Sequence, residues 1–496
     1  MLRPYITTLR RPAPPCAALR RPSPPRAHWS SFSPLFFPNR NELVIPSEAR
    51  GTRAKRGTCF WVVSPPMLPV PSPTDTTESC LYRRVTQRLI PFLFCCYGAA
   101  YLDRVNISFA KLQMLSALRF SETVYGLGAG IFFIGYFLFE IPSNIILHKV
   151  GARRWIARVM LTWAIISAAM VFVRTPTLFY VLRFLLGVAE AGFFPGIILY
   201  LTYWYPAPRR AGIIALFMTG IPIAGVIGGP LSGWILKSMT GVQGLAGWQW
   251  LFLVEALPSL ALGVAVLFYL DDRISAARWL TTEQKELLAR RLAEDNSQVS
   301  GHSLLDGLTN PRVWLLAAIY FCLICGLYGA GFWMPTLIQR SGVASPLAIG
   351  MLTVLPNAAG AVAMVAISRR SDRARERRWH LIIPALLGAA GWLVTVRYGS
   401  HSPAALVGMS LAMAGVTTSL AQFWCLPTAI LAGAAAATGI ALINSIGNLA
   451  GFVSPSVIGW IIDRTHSTDL GVYALAAIMS IGSLLVLTIP GRIVNR

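Results

Sequence analysis

The chain has 496 residues, of which 55% are hydrophobic and 13% are charged, and its formal net charge is +23. A soluble globular protein carries about a quarter charged residues, so this composition excludes a soluble domain. The basic residues lie between apolar stretches and not along one soluble face, which excludes a nucleic-acid partner. Apolar stretches long enough to span about 30 Å of hydrocarbon recur along the chain and predict an all-α polytopic membrane protein.

Residues 1–66 are rich in proline and arginine and differ from everything that follows. Such a composition buries too little apolar surface to fold. Three interpretations are open: a disordered basic tail, a transit peptide whose prolines oppose the helix it needs, or a mis-assigned start with Met67 as the first residue. We favour the mis-assigned start and assign residues 1–82 to an N-terminal extension.

Twelve apolar stretches follow, and each predicts a membrane helix. Their expected bounds are 89–110, 123–147, 154–173, 178–203, 211–236, 248–270, 313–338, 346–368, 380–397, 403–431, 434–462 and 471–490. The long connection at 271–312 is predicted to hold a surface helix, because Thr281 and Gln284 have capping-box spacing. It joins two six-helix halves, residues 83–270 and 313–496.

Small residues recur every four positions in the fifth and eleventh helices. They are Gly225, Gly229 and Gly233 in the fifth helix and Gly447, Gly451, Pro455 and Gly459 in the eleventh. Trp234 and Trp460 follow these runs and lie 226 residues apart. Small residues let helices approach closely, and their matched positions predict two pseudo-symmetric bundles of the kind found in transporters.

Two strongly basic loops, residues 148–158 and 368–378, alternate with weakly charged connections. Basic loops face the cytoplasm, so we expect both termini to be cytoplasmic in an inner, plasma-membrane protein. Cys322 and Cys325 have a redox or metal spacing, but their neighbours are apolar. We interpret them as buried thiols and expect no metal or other cofactor.

Four charged residues fall where lipid or protein interior is expected. Asp103 and Arg104 are adjacent in the first helix, and Arg183 and Glu190 lie seven residues apart in the fourth. An ionised group at the bilayer centre costs about 2.5–3.5 kcal/mol on insertion scales. One interpretation is an inert salt-bridge network. The other is an anion site with proton coupling, since arginine binds carboxylates and a buried acid can hold a proton.

Further polar or aromatic residues lie at similar depth. They are Tyr101, Tyr136, Tyr328, Trp333, Gln422, Trp424, Asn444 and Asn448. For each aromatic residue packing competes with ligand contact, and for Asn444 and Asn448 ligand contact competes with hydrogen bonding between helices. Glu140 and Glu255 are expected near helix ends, outside the site.

Several blocks together resemble the major facilitator superfamily, and within it the anion:cation symporter family, over about residues 83–492. The blocks are YLDRVNISFA, GYFLFEIPSN, GARRWIAR, RFLLGVAEAGFFPG, FWMPT, FWCLPT and INSIGNLAGFVSP. The match looks closest to bacterial permeases for tartrate and related hydroxy or aromatic acids. This resemblance implies twelve helices in two bundles and proton-driven uptake of an organic anion by alternating access.

The resemblance also implies residue roles. Arg104 would contact the substrate carboxylate, Asp103 and Glu190 would be the protonatable pair, and Arg183 would be the partner of Glu190. The substrate cavity would be lined by Tyr101, Tyr136, Trp424 and Asn444. We add Gln422 and Asn448 to this set because they are expected at a similar depth in the membrane.

The two basic loops correspond to the gating loops of that family. The matching residues are Gly151, Arg153, Arg154, Asp372 and Arg373. The first loop usually carries an acid where this chain has His148. This departure puts the gating balance in doubt, and an exposed histidine without a role competes with one that titrates.

We therefore predict a symporter of protons and a small carboxylate, acting as a monomer in the lipid bilayer. The chain shows no nucleotide loop, metal spacing or nucleophile–base arrangement, so we do not expect an enzyme. The alternatives are an efflux carrier of the same fold and a nutrient sensor that does not transport.

Overall fold

A computed structural model describes residues 73–296, 309–431 and 433–495, and every regular element in these ranges is a helix. The disordered tail or early start expected for residues 1–66 lies outside the described residues. Residues Val85–Arg496 form one compact unit. All the contacts discussed below lie within it.

The first half is built from eight helices. They are α1 (Pro73–Leu118), α2 (Glu122–Val150), α3 (Ala152–Ala169), α4 (Pro176–Glu190), α5 (Phe193–Thr202), α6 (Ala207–Met218), α7 (Gly220–Ser238) and α8 (Gly247–Tyr269). Helix α1 begins inside the stretch that the sequence assigned to the extension. The predicted surface helix of the connection is α9 (Thr282–Asn296).

The second half follows with nine further helices in the described residues. They are α10 (Pro311–Arg340), α11 (Pro346–Leu352), α12 (Val354–Ala374), α13 (Arg378–Arg397), α14 (Ser402–Phe423), α15 (Cys425–Ile430), α16 (Gly433–Thr465), α17 (Thr468–Leu485) and α18 (Gly491–Val494).

Eleven helical segments of the described chain are long and apolar enough to cross a membrane. Each matches one of the predicted spans from the second to the twelfth. The first predicted span lies within α1, which carries Asp103, Arg104 and Lys111 and is not among the eleven. The all-helical membrane fold is therefore the predicted one, and eleven of its twelve predicted spans are found among the described residues.

The fourth, fifth, eighth and tenth spans are each divided between two helices, and the divisions of the fourth and tenth spans fall at matching places in the two halves. The fourth span changes from α4 to α5 at Gly192, whose φ of +80° lies in the left-handed region that favours glycine. The tenth changes from α14 to α15 at Trp424. Each is the fourth span of its half, so the two breaks correspond. Discontinuous helices at matching places mark the binding sites of many transporters.

The predicted small-residue runs lie where the two halves touch. A Cβ added to Gly233 would lie 2.5 Å from Pro346 O, and one added to Gly459 would lie 2.3 Å from Glu122 O. A Cβ added to Gly126 would lie 2.3 Å from Pro455 O. Because these neighbours are backbone atoms that cannot move aside, α7 packs against α11 and α16 packs against α2 only with glycine at these positions.

Candidate functional site

An ion pair joins the first and fourth spans. Arg104 Nη2 of α1 contacts Glu190 Oε1 at the C-terminal end of α4, and the two side chains are 11% and 2% exposed. Arg104 Nη1 also donates to the Tyr328 hydroxyl of the second half at 3.4 Å. The pair therefore lies at the boundary between the halves, beside the break of the fourth span.

Aromatic rings enclose this pair. The Arg104 guanidinium lies 5.4 Å from the centroid of Phe132 and 5.5 Å from that of Tyr136. Tyr328 packs against Phe133 with ring centroids 4.4 Å apart. Because aromatic walls exclude water, the attraction between the two charges is stronger here than at a surface. We call Arg104, Glu190, Tyr136 and Tyr328 the paired site.

The resemblance implied that Arg183 is the partner of Glu190. In the structure, Glu190 forms its ion pair with Arg104 instead. The Arg183 guanidinium donates to the carbonyl oxygens of Gly128 at 3.1 Å and Ala129 at 3.2 Å. Residues seven apart share a helix face but are separated by about 10 Å along the axis. Arg183 and Glu190 therefore share a face of α4 without forming an ion pair, and the arginine that contacts Glu190 comes from α1.

Asp103 does not join the paired site either. Its carboxylate accepts hydrogen bonds from Trp163 Nε1 at 3.1 Å, Ser167 Oγ at 2.9 Å and Ser259 Oγ. Adjacent residues on a helix point about 100° apart, so Arg104 faces the second half while Asp103 faces the interior of the first. Three neutral donors hold this carboxylate between α1, α3 and α8.

Glu140 and Glu255 are not near helix ends, contrary to the sequence-based expectation. Glu140 is 6% exposed, and its Oε1 accepts a hydrogen bond from Asn444 Nδ2 of the second half at 3.3 Å. Glu255 is 1% exposed within the first half, where it accepts from Ser232 Oγ at 2.5 Å. Glu140 is thus a site residue that sequence reasoning missed, although its four-residue spacing from Tyr136 pointed to it.

The remaining predicted cavity residues lie in different surroundings. Trp424 at the break of the tenth span is half-buried and packs edge-on against Tyr320 at 4.9 Å. Tyr101 lines a small cavity of about 50 Å³ together with Asn357. Asn448 is half-buried one turn after Asn444 on α16. Of the predicted cavity residues of the second half, Asn444 reaches the first half, through its hydrogen bond to Glu140.

Gln422 serves a different purpose from the one predicted. Its amide donates to Ser368 Oγ at 2.9 Å and accepts from Ser371 Oγ at 3.0 Å. Both ends of the amide are therefore occupied by serines of α12. Gln422 links α14 to α12 within the second half and is not directed at a ligand.

The predicted gating loops form capped turns. Gly151 has φ +96°, and Arg153 N donates to Asp272 Oδ1 at 2.7 Å, so a carboxylate from beyond α8 caps α3. In the second loop Asp372 pairs with Arg377 at 2.5 Å. Arg154 and Arg373 are exposed. His148 lies 3.1 Å from the Tyr203 hydroxyl.

A second charge cluster lies at the end of the molecule where α1 ends and α2 begins, and sequence reasoning missed its charged residues. Lys111 Nζ lies 2.7 Å from Glu122 Oε2 and 3.5 Å from the centroid of the Trp333 ring. Tyr125 donates to Phe332 O at 2.9 Å. We call Lys111, Glu122, Tyr125, Trp333 and Asp463 the gate cluster.

Asp463 completes the gate cluster from the last turn of α16. Its carboxylate accepts hydrogen bonds from the backbone N–H groups of Glu122 at 3.1 Å and Thr123 at 2.7 Å. A carboxylate at a helix N-terminus is favoured by the unpaired N–H groups there. The cap comes from the opposite half, so it holds the two halves together at this end.

The family profile of the Major Facilitator Superfamily matches residues 93–455. The chain belongs to the major facilitator superfamily. Among solved members with this fold, the partially occluded inward-open form of the Escherichia coli xylose transporter XylE has a TM-score of 0.65 and 14% identity. The alignment covers 81% of this chain and 97% of that one. Its likeness agrees with the two-bundle fold.

Several curated relatives in the superfamily are much more similar in sequence. "Putative metabolite transport protein NicT" of Pseudomonas putida is 48% identical over 429 residues, 86% of this chain and 98% of that protein. A "Putative tartrate transporter" of Agrobacterium vitis is 50% identical over 416 residues, covering 84% and 92%. The "Quinolone resistance transporter" of Acinetobacter baumannii is 42% identical over 417 residues, covering 82% and 94%. The chain is therefore a multi-pass membrane transporter for a small molecule.

Proposed function

We propose that the protein is a proton-coupled symporter for a small organic carboxylate and works by alternating access. The observation that carries this proposal is the Arg104–Glu190 ion pair, enclosed by aromatic rings at the boundary of the halves. An inert pair would be a weak device for stability, because apolar replacements of buried pairs are often neutral or stabilising. The names of the tartrate and metabolite relatives support an organic anion as substrate.

The pair suggests how anion and proton are coupled. With Glu190 ionised, its carboxylate occupies the Arg104 guanidinium. Protonation of Glu190 removes that competitor, and Arg104 can then bind a substrate carboxylate through two parallel hydrogen bonds. Loss of the proton restores the pair and displaces the anion, so the two move in the same direction.

The surroundings suggest a location and a conformation. We propose an inner-membrane protein with both termini and the basic loops 148–158 and 368–378 in the cytoplasm. In this orientation we place the gate cluster on the outer side, and we interpret the structure as an inward-facing state. We further propose that one chain suffices, with residues 83–270 and 313–496 as the moving bundles and 271–312 as their linker.

The test is uptake of labelled carboxylates into sealed vesicles that contain the protein. An inward proton gradient should drive accumulation of at least one acid, and collapse of the gradient with an ionophore should reduce uptake to equilibration. Empty vesicles give the background. Absence of uptake of every acid under both conditions would contradict the proposal.

An efflux carrier is a second candidate, because a relative with 42% identity is named for quinolone resistance. Export coupled to proton entry predicts the opposite response in the same vesicles. Preloaded substrate should then leave faster when the proton gradient points inward. Symport predicts that this gradient slows its loss.

A further inference from the structure

Three basic side chains of the described helices are enclosed in the first half, and two of them are held by partners outside the paired site. Lys111 pairs with Glu122 in the gate cluster. Arg183 is completely buried and donates to the carbonyl oxygens of Gly128 and Ala129. Arg104 is the basic group that a molecule between the halves can reach, so the site offers one positive charge to a substrate.

Glu140 supplies an acceptor on the same wall. It lies one helical turn after Tyr136, whose ring contacts the Arg104 guanidinium. Asn444 donates to Oε1 of Glu140, and Oε2 is buried with no hydrogen-bond partner among the described residues. A buried acceptor without a partner is costly, so this oxygen is a place for a donor carried by a ligand.

We propose that Glu140 determines specificity, favouring acids that carry one carboxylate and an uncharged hydrogen-bond donor at the far end over dicarboxylates. This inference rests on the proposed function. The carboxylate of the substrate binds Arg104, and a distal hydroxyl or ring N–H donates to Glu140 Oε2. A second carboxylate at that place would meet the carboxylate of Glu140 with no basic partner, and like charges at close range repel each other.

Two pairs of labelled acids test the proposal, since the members of each pair differ at the far end alone. Threonate carries a hydroxymethyl group where tartrate carries its second carboxylate. In the same way, 4-hydroxybenzoate carries a hydroxyl group where terephthalate carries its second carboxylate. Uptake into vesicles at pH 7.5 gives kcat/KM for each. In whichever pair is transported, we expect the monocarboxylate to be preferred at least about tenfold, the size of one charged hydrogen bond.

The Glu140→Gln variant keeps the shape and the contact with Asn444 but removes the charge. It should lower the preference for the monocarboxylate to about threefold or less. Asn444→Ala, which releases the orienting amide, should narrow the ratio in the same direction. Glu255→Gln is the matched control, because it neutralises a buried acid that contacts Ser232 inside the first half. It should change uptake of both members alike.

The outcomes separate this inference from the proposed function. A wild-type protein that takes up the dicarboxylate as well as its partner, or a ratio that Glu140→Gln leaves unchanged, would overturn the role of Glu140 while symport stands. Absence of uptake of all four acids and of every other carboxylate tested would overturn both. A ratio that falls in Glu140→Gln and not in Glu255→Gln supports the assignment.

Discussion

The two halves share a helical plan but differ in the charges that they bury. Six acidic or basic side chains are buried in the first half, namely Asp103, Lys111, Glu140, Arg183, Glu190 and Glu255. In the described part of the second half, the buried polar side chains are serine and threonine hydroxyls and the amide of Gln422. The halves therefore share their helical fold, whereas the buried charges belong to the first half.

This difference assigns separate tasks to the halves. Charges can be kept in a low-dielectric interior when each has partners, and such partners take fixed geometry. The first half holds them on α1, α2, α4 and α8, while the second half presents Tyr328 and Asn444 across the boundary. We infer that proton and anion chemistry belongs to the first half and that the second acts as a moving, uncharged wall.

Arg104→Ala should give the largest effect, because it removes the charge that the first half offers to a substrate. Loss of two charge-assisted hydrogen bonds, each about 1.5–3 kcal/mol, should weaken binding by at least about 100-fold. Calorimetric titration of the purified protein with the transported acid measures this. Arg104→Lys keeps the positive charge but lacks the planar guanidinium, so its affinity should lie between those of the wild type and Arg104→Ala. Unchanged affinity in Arg104→Ala would refute its role.

Glu190→Gln should separate exchange from accumulation. A permanently neutral side chain leaves Arg104 available to the anion but cannot release a proton, so net uptake against a gradient should fall to background. Exchange of internal for external substrate should persist. Glu255→Gln, in the same half but outside the paired site, should keep accumulation. If Glu190→Gln vesicles still concentrate substrate under a proton gradient, coupling lies elsewhere.

Much of this architecture was predictable from the sequence, because a membrane helix can be identified by the length and apolarity of its sequence. The expected spans match the observed helices, and the four-residue runs that end at Gly233 and Gly459 lie at close contacts between the halves. Arg104 and Glu190 could be selected as candidates from the sequence, because each is a charged residue in an apolar stretch, where an ionised group is costly. Length, apolarity and residue spacing are properties of a single helix, so the spans and the small-residue runs could be read from the sequence.

The partners of the charges were not predictable in the same way. Asp103 and Arg104 are adjacent in sequence but serve different surroundings, and Glu190 pairs with an arginine from another helix instead of Arg183. Which helix supplies the partner depends on how each helix is rotated against its neighbours. Glu140 and Lys111 were missed for the same reason, as their depth and partners follow from packing between helices.

Gly459→Ala should have a smaller effect, because it alters the close contact between α16 and α2 that joins the two halves. The new Cβ would lie 2.3 Å from Glu122 O in the gate cluster, so this end cannot close fully. We expect transport to slow by about tenfold, as an overpacked contact costs about 1–3 kcal/mol. Gly331→Ala is the control, because a Cβ there meets no atom within 4 Å. Equal uptake by both variants would argue against closure at this contact.

Glu376→Gln should give the smallest effect, because Glu376 lies between α12 and α13 and outside the membrane helices. The variant tests whether an acidic residue of the second half takes part in proton coupling. Burial raises the pKa of the Glu376 carboxyl, but hydrogen bonds from Trp379 and His380 outweigh burial and hold that pKa below its ordinary value. The carboxylate therefore stabilises the fold above the ordinary pKa, and this contribution is lost as the pH falls through the lowered pKa.

At pH 7 the free energy of unfolding of the Glu376→Gln variant should be lower by about 0.3–1 kcal/mol, the usual value of a charge at a helix N-terminus. Thermal unfolding in detergent measures the difference, which should shrink toward pH 3, and transport by the folded variant should keep its proton coupling. A loss of coupling would place proton chemistry in both halves and remove the contrast between them.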